Sequence, residues 1–320
     1  MLRLRNIEKV LVGGQKRYFG QEKQQGSGKV PHIDNIRKAW DKWSLKYAKD
    51  IEPYSFPSQV TIMNELRPQP TDTIVEAACG SGYYGAYHCM AKPQSQKYTM
   101  MDLSPEMIKL AKRRVAMSLK QGKLYNDVES LAHLDDKEID ELFNGLGIEA
   151  LSQNCEVLSQ FHSKSLDIYL GGLFLHLVPD PAVILKEAYR VLKDGGKIGF
   201  SVFGDPQNSL YFSLFDEMVK KHGHIEFRSK FYLNDDRKLR SLVEAAGFKN
   251  IRLMRQDLSF GIDSSDSSLE HFTMPSNQAI LRQFDQATIE KMKVDLKNQF
   301  ATTLSHQVIG IQNVLVVATK

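Results

Sequence analysis

An acid, a run of small residues and a second acid carry most of the chemistry that this sequence offers. Ile74-Val75-Glu76-Ala77-Ala78-Cys79-Gly80-Ser81-Gly82-Tyr83-Tyr84-Gly85 reads as an apolar strand with Glu76 near its carboxyl end, followed by a small-residue loop that opens a helix. Such a loop turns tightly and lets a ligand approach the backbone closely. In an open α/β sheet, ligands bind beyond the carboxyl ends of the strands, where this loop would lie. Gly80, Gly82 and Gly85 also satisfy a GxGxxG spacing, and Asp102 ends the next apolar stretch at about the distance expected of an acid that binds a ribose hydroxyl, so a dinucleotide site competes. Spacing does not separate the two readings, but charge does. A diphosphate would be repelled by Glu76 at the loop mouth, whereas the cationic amino group of a methionyl moiety would be attracted.

The surrounding elements must place these residues. Apolar residues at spacings of three and four over 34–66 predict two helices broken around Pro53 and Pro57. The pattern then alternates: strand 73–76, helix 82–90, strand 97–102, helix 105–119. The last of these has Ser104 placed to cap it and Pro105 at its first position. Residues 121–153 read as an acidic, helix-prone insertion before a third strand at 165–170. A helix at 181–192, started by Asp180 and Pro181 and stopped by Gly195 and Gly196, leads into a strand at 197–203. Further on, a helix at 235–246 and strands at 249–255 and 308–319 suggest a late antiparallel pair. The expected fold is α/β, a doubly wound Rossmann-like sheet, mostly parallel with an antiparallel C-terminal strand and with helices on both faces.

The chain has 320 residues, 42% hydrophobic and 25% charged, which suits one large domain with insertions at 121–153 and 205–307 and a helical lid at 34–66, all within 31–320. Its net charge of +4, spread along the sequence, gives no strong nucleic-acid signal. No apolar run approaches the length of a membrane span. Cys79, Cys89 and Cys155 form no CxxC pair, which argues against a structural metal or a disulfide framework and for a reducing compartment. Residues 1–20 carry Arg3, Arg5, Lys9, Lys16 and Arg17 against Glu8 alone, and two readings stand: a mitochondrial transit peptide, or a basic surface segment of a cytoplasmic protein. Residues 21–30 read as a linker.

The run Val75 to Gly82 resembles the first motif of class I S-adenosylmethionine-dependent methyltransferases, with Ala78 where many members have glycine. The resemblance continues through Met101-Asp102-Leu103-Ser104-Pro105-Glu106-Met107, through Ser165-Leu166-Asp167-Ile168 with Leu175-His176, and through Ala188 to Gly196. It is strongest to the small-molecule branch, which includes the ubiquinone and menaquinone biosynthesis methyltransferases.

The resemblance implies S-adenosylmethionine as cofactor, with Glu76 orienting its amino group and the backbone of Ala78, Cys79, Gly80 and Gly82 packed against it. Asp102 would accept both ribose hydroxyls, with Leu103 beside it. Asn154 and Cys155 fall at the adenine, where an aspartate is more usual, and Gly171 and Gly172 fall beneath the transferred methyl, where a polar residue is common. His176 is the candidate general base, against a structural histidine at a helix start. Trp43, Tyr47 and Tyr54 either close the site or pack a helix onto the core. The expected activity is methyl transfer to a small, apolar or aromatic acceptor. The competing expectation, kept open by Ala78, the missing adenine-side aspartate and Gly171-Gly172, is a methyltransferase-like subunit or assembly factor of a larger, mitochondrial complex.

Overall fold

Ile74 and Val75 are neighbours in one strand yet enter different hydrophobic cores, and the architecture follows from that alternation. The computed structural model describes residues 33–127, 135–223, 227–259, 261–262 and 264–320, so the basic segment and linker read at 1–30 lie outside the described residues. The strands β1 (Thr73–Ala77), β2 (Lys97–Asp102), β3 (Ile148–Ser152), β4 (Leu166–Gly171), β5 (Leu192–Phe203), β6 (Lys249–Ser259) and β7 (Gly310–Thr319) form one seven-stranded sheet in the order β3-β2-β1-β4-β5-β7-β6. The first five pair in parallel, and β7 runs antiparallel to both β5 and β6.

Helices cover both faces. Two begin the described chain: α1 (Ile33–Asp50) and α2 (Glu52–Leu66), with Pro53 in the first turn of α2 and Pro57 inside it. Next come α3 (Tyr83–Ala91), α4 (Pro105–Gln121), α5 (Asp136–Leu146) and α6 (Pro181–Val191), then α7 (Leu210–His222), α8 (Asp236–Ala245), α9 (Pro275–Leu281) and α10 (Gln286–Leu304). On one face Ile74, Ile168, Leu315 and Val317 pack with Ile62 and Leu66 of α2, Tyr84 of α3 and Val115 of α4. On the other, Val75, Val314 and Val316 pack with Ile184 and Ala188 of α6 and Leu239 and Val243 of α8. A third, aromatic-rich core joins Trp43 of α1 to Phe212 and Phe215 of α7 and to Phe300 of α10.

Three sequence expectations need correction, the first being the insertion read at 205–307, which supplies the edge strand β6. Residues 121–153 are not an insertion outside the sheet, because they supply α5 and β3, which pairs in parallel with β2. Only Ile148 of β3 is fully buried, so this edge strand lacks the continuous apolar run that marks a buried parallel strand, and the strand read as third is the fourth. Nor do Gly195 and Gly196 stop α6. The helix ends at Val191, and Leu192 already pairs with Leu166 while Lys197 pairs with Ile168, so the glycines sit in a bulge of β5 with Gly195 at φ 79°. Elsewhere the expected elements appear, including the Ser104 cap, whose Oγ accepts from Met107 N at 3.2 Å.

Candidate functional site

The loop after β1 is held from three sides. Cys79 N donates to Met101 O at 2.9 Å, extending the β1–β2 ladder into the loop. Gly82 takes φ 76°, and a Cβ there would lie 2.7 Å from Ala111 Cα, so only glycine lets α3 start this close to α4. Ala78 takes φ 50°, the left-handed region, without a glycine to relieve it.

Asp102 at the tip of β2 fixes the loop and faces a cavity. Its Oδ2 accepts from Gly80 N at 3.0 Å and its Oδ1 from Ser104 N at 2.9 Å. Each carboxylate oxygen therefore retains acceptor capacity, which suits a vicinal diol. Burial pushes the Asp102 carboxyl up to about 7, against those two N–H bonds.

One cavity brings together Ala78, Gly80, Asp102, Leu103, Asn154, Cys155 and His176 of the expected site residues. Its wall also carries Trp40, Trp43 and Tyr47 of α1, whose rings meet at centroid distances of 5.5 to 5.8 Å. Tyr54 is not on the wall. Leu103, Met107 and Cys155 give the wall near Asp102 an apolar character that fits a purine, with Asn154 as its polar group. Asn154 Oδ1 accepts from Glu156 N at 3.0 Å. Burial pushes the Cys155 thiol up to about 12, so it stays protonated.

Glu76, Cys79, Gly82 and Gly171 do not line the cavity. Glu76 points to the α2 side of the sheet, fully buried, where its Oε1 accepts from Gln59 Nε2 at 3.0 Å and its Oε2 from Tyr98 OH at 2.7 Å. Burial pushes its carboxyl up to about 8, the Tyr98 hydrogen bond opposing. Gly171 lies under Phe174, where a Cβ would fall 2.3 Å from the ring, and it is Gly172 that reaches the wall.

His176 is 4% exposed, tilted against Phe203 at a centroid distance of 4.6 Å, and its Nδ1 has no hydrogen-bond partner. Burial, then the charges of Lys230 and Arg228, press its pKa down to about 3. The ring is a neutral hydrogen-bonding group and a weak base.

Sequence reading missed the buried pair beneath the loop. Arg114 of α4 meets Glu52 of α2 at 2.9 Å, and the Ser81 hydroxyl bonds to both. Tyr83 N, at the start of α3, points to Glu52 Oε1 at 3.4 Å. The helix N-terminus that would receive a diphosphate thus already faces a carboxylate, and Gly80 N is committed to Asp102. Glu52 reads in sequence as an ordinary first-turn acid, and Arg114 sits in the cationic run Lys112-Arg113-Arg114, so neither signals burial. Lys230, also buried on the cavity wall, stands in a charged stretch with no motif.

Residues 75–200 match a family model described as a methyltransferase domain. The chain is similar to the demethylmenaquinone methyltransferase of Lactobacillus johnsonii, 31% identical over 115 residues that cover 32% of this chain and 47% of that protein. It is similar to malonyl-[acyl-carrier protein] O-methyltransferase 1 of Ilyobacter polytropus, 26% identical over 194 residues covering 61% and 58%. The chain thus spans about half the length of these two relatives, 47% and 58%. In fold it is similar to a chain from the complex between the Haloferax volcanii Trm112 methyltransferase activator and a methyltransferase, with a TM-score of 0.51, 17% identity and coverage of 89% of this chain and 96% of the other.

Proposed function

Residues 75–200 form a class I S-adenosylmethionine-dependent methyltransferase domain, and from that premise we propose that the chain transfers a methyl group to a small acceptor with an apolar or aromatic body. The observation that carries this reading is Asp102, whose two oxygens are each fixed by one loop amide while the side chain faces the cavity.

S-adenosylmethionine supplies an electrophilic methyl on a sulfonium. Asp102 would bind its ribose hydroxyls, Ala78 and Gly80 would pack against its methionyl part, and Leu103, Asn154 and Cys155 would receive the adenine. Glu76 stands behind the loop without lining the cavity, and because burial pushes its carboxyl up to about 8 it braces β1 as a mostly protonated acid through Gln59 and Tyr98. Methyl transfer from a sulfonium is an in-line displacement, so alignment and exclusion of water matter most. Trp40, Trp43 and Tyr47 supply the water-excluding wall, with Phe212 and Met274 opposite in sequence origin. His176 orients the acceptor through a neutral ring nitrogen, since protonating it is unfavourable in its surroundings.

Isothermal titration of the full chain with S-adenosylmethionine and, separately, NAD tests the reading. Binding of the first and not the second is expected. No heat at millimolar S-adenosylmethionine would sink it and favour the non-enzymatic subunit.

A further inference from the structure

Within an otherwise apolar stretch of the cavity wall stands one buried ammonium. Lys230 lines the cavity together with Phe203, Phe212, Met274, Ile311 and His176. Its side chain is 8% exposed, and its nearest counter-charge, Asp216 Oδ1, is 3.5 Å away, beyond good hydrogen-bond distance. That Asp216 oxygen accepts no hydrogen bond, while Oδ2 accepts from Ser229 Oγ at 3.2 Å. Lys230 Nζ makes a single hydrogen bond among the described residues, to Asn277 Oδ1 at 3.2 Å, and lies 5.3 and 5.5 Å from the ring centroids of Phe212 and Phe215. An ammonium has three donors, so two are under-used here.

A neutral apolar ligand filling this wall would strip the remaining solvation from Lys230 and give nothing back. An amine would meet the charge of Lys230, which with Arg228 adds to burial in holding His176 neutral. An anionic oxygen would complete the donor set and convert a loosely paired cation into a satisfied one.

We propose that Lys230 receives an anionic oxygen of the methyl acceptor, so that the acceptor is an apolar or aromatic acid, a carboxylate or an ionised phenol, and not an amine or a neutral molecule. The inference rests on the methyl-transfer reading for the word acceptor, but the recognition chemistry belongs to the cavity itself. It also removes a difficulty left by His176: an acceptor that arrives already ionised needs no strong base in the site.

Two probe pairs test it by titration of the full chain at neutral pH: 2-naphthoate against 2-naphthamide, and 4-nitro-1-naphtholate against its methyl ether. The expected result is at least about tenfold tighter binding of the anion in one or both pairs, and the pair that shows it names the acidic group. Removing Lys230 alone would strand Asp216, so the double variant K230M/D216L replaces the pair with apolar side chains and should reduce the preference to about twofold or less. Equal affinity within both pairs, or a preference that survives the double variant, overturns the proposal. S-adenosylmethionine titrated into the same samples separates the two readings: loss of cofactor binding with the anion preference intact condemns methyl transfer and leaves Lys230 as an anion site.

Discussion

Arg114 and Glu52 form an ion pair in which the two side chains are 0% and 5% exposed, and the glycine loop hangs from it through Ser81. The same guanidinium donates to Ser81 O at 2.9 Å and to Ala48 O at 3.2 Å, so the α1 wall of the cavity, the start of α2 and the loop are tied to one side chain of α4. Cofactor side and acceptor side are thus positioned by a common group.

R114M should therefore do more than destabilise. Leaving Glu52 buried and unpaired is expected to cost about 3–5 kcal/mol, read by denaturant unfolding, while E52M/R114M recovers most of that loss. Cofactor affinity should stay weak in both variants, because neither restores the tether to Ser81 and Ala48. Full affinity in the double variant would contradict the tether.

D102N should weaken S-adenosylmethionine binding by about 30-fold or more, since two charge-assisted acceptors become one neutral acceptor and a misplaced donor, and it should also lower the melting temperature, because one of the two loop N–H groups loses its acceptor. The Asp102 carboxyl lies at about 7 in the free protein, so its acceptor form fills as pH rises. Wild-type affinity should accordingly increase about 25-fold between about pH 5.5 and about pH 7.5, and the D102N profile should be flat over that window.

Glu76 gives an unusual stability profile. Its carboxyl is pushed from an ordinary 4.5 up to about 8 by burial, so between those values the folded chain holds a proton that the unfolded chain releases. Stability from this group is fully present below about 4.5 and is lost as pH rises through about 8. E76Q mimics the protonated acid and should be more stable than wild type by on the order of 1 kcal/mol or more near about pH 8.5, the gap closing toward about pH 5. A melting-temperature series for both proteins checks it. Cofactor affinity of E76Q should match wild type near about pH 7, where Glu76 is itself mostly protonated.

The loop holds one strained residue and one obligatory glycine. A78G removes a Cβ from φ 50° and is expected to raise stability by up to about 1 kcal/mol, the left-handed penalty outweighing the entropy of glycine in the unfolded chain. G82A places a Cβ 2.7 Å from the Ala111 backbone and should destabilise by about 3 kcal/mol or more. Thermal melts of the two variants should move in opposite directions.

Most strands that read from sequence are buried on both faces, and the long edge strand β6 reads as well. β1, β2 and β4 are short apolar runs followed by turn residues, and Ser104, Pro105, Asp180 and Pro181 mark helix starts by local chemistry. β3 escaped because it is only five residues long with Ile148 alone buried, whereas the other edge, β6, runs for 11 residues, and the bulge at Gly195 escaped because a glycine pair after a helix normally ends it. In the site, Asp102 and the loop were legible because their spacing along the chain is their function. Glu52 with Arg114, 62 positions apart, and Lys230 with Asp216 were not, since burial of a charge is decided by tertiary contacts that leave no local pattern.

Sheet order also differs from the order of synthesis. β7 lies between β5 and β6 although it follows both along the chain. When β6 emerges from the ribosome it has no strand to pair with, and the parallel half of the sheet, with the loop and Asp102, can assemble while β5 and β6 still expose open edges. The nascent protein therefore passes through an interval in which its cofactor side is built but two strands are unprotected. How fast α10 and β7 follow sets how long it is prone to aggregate.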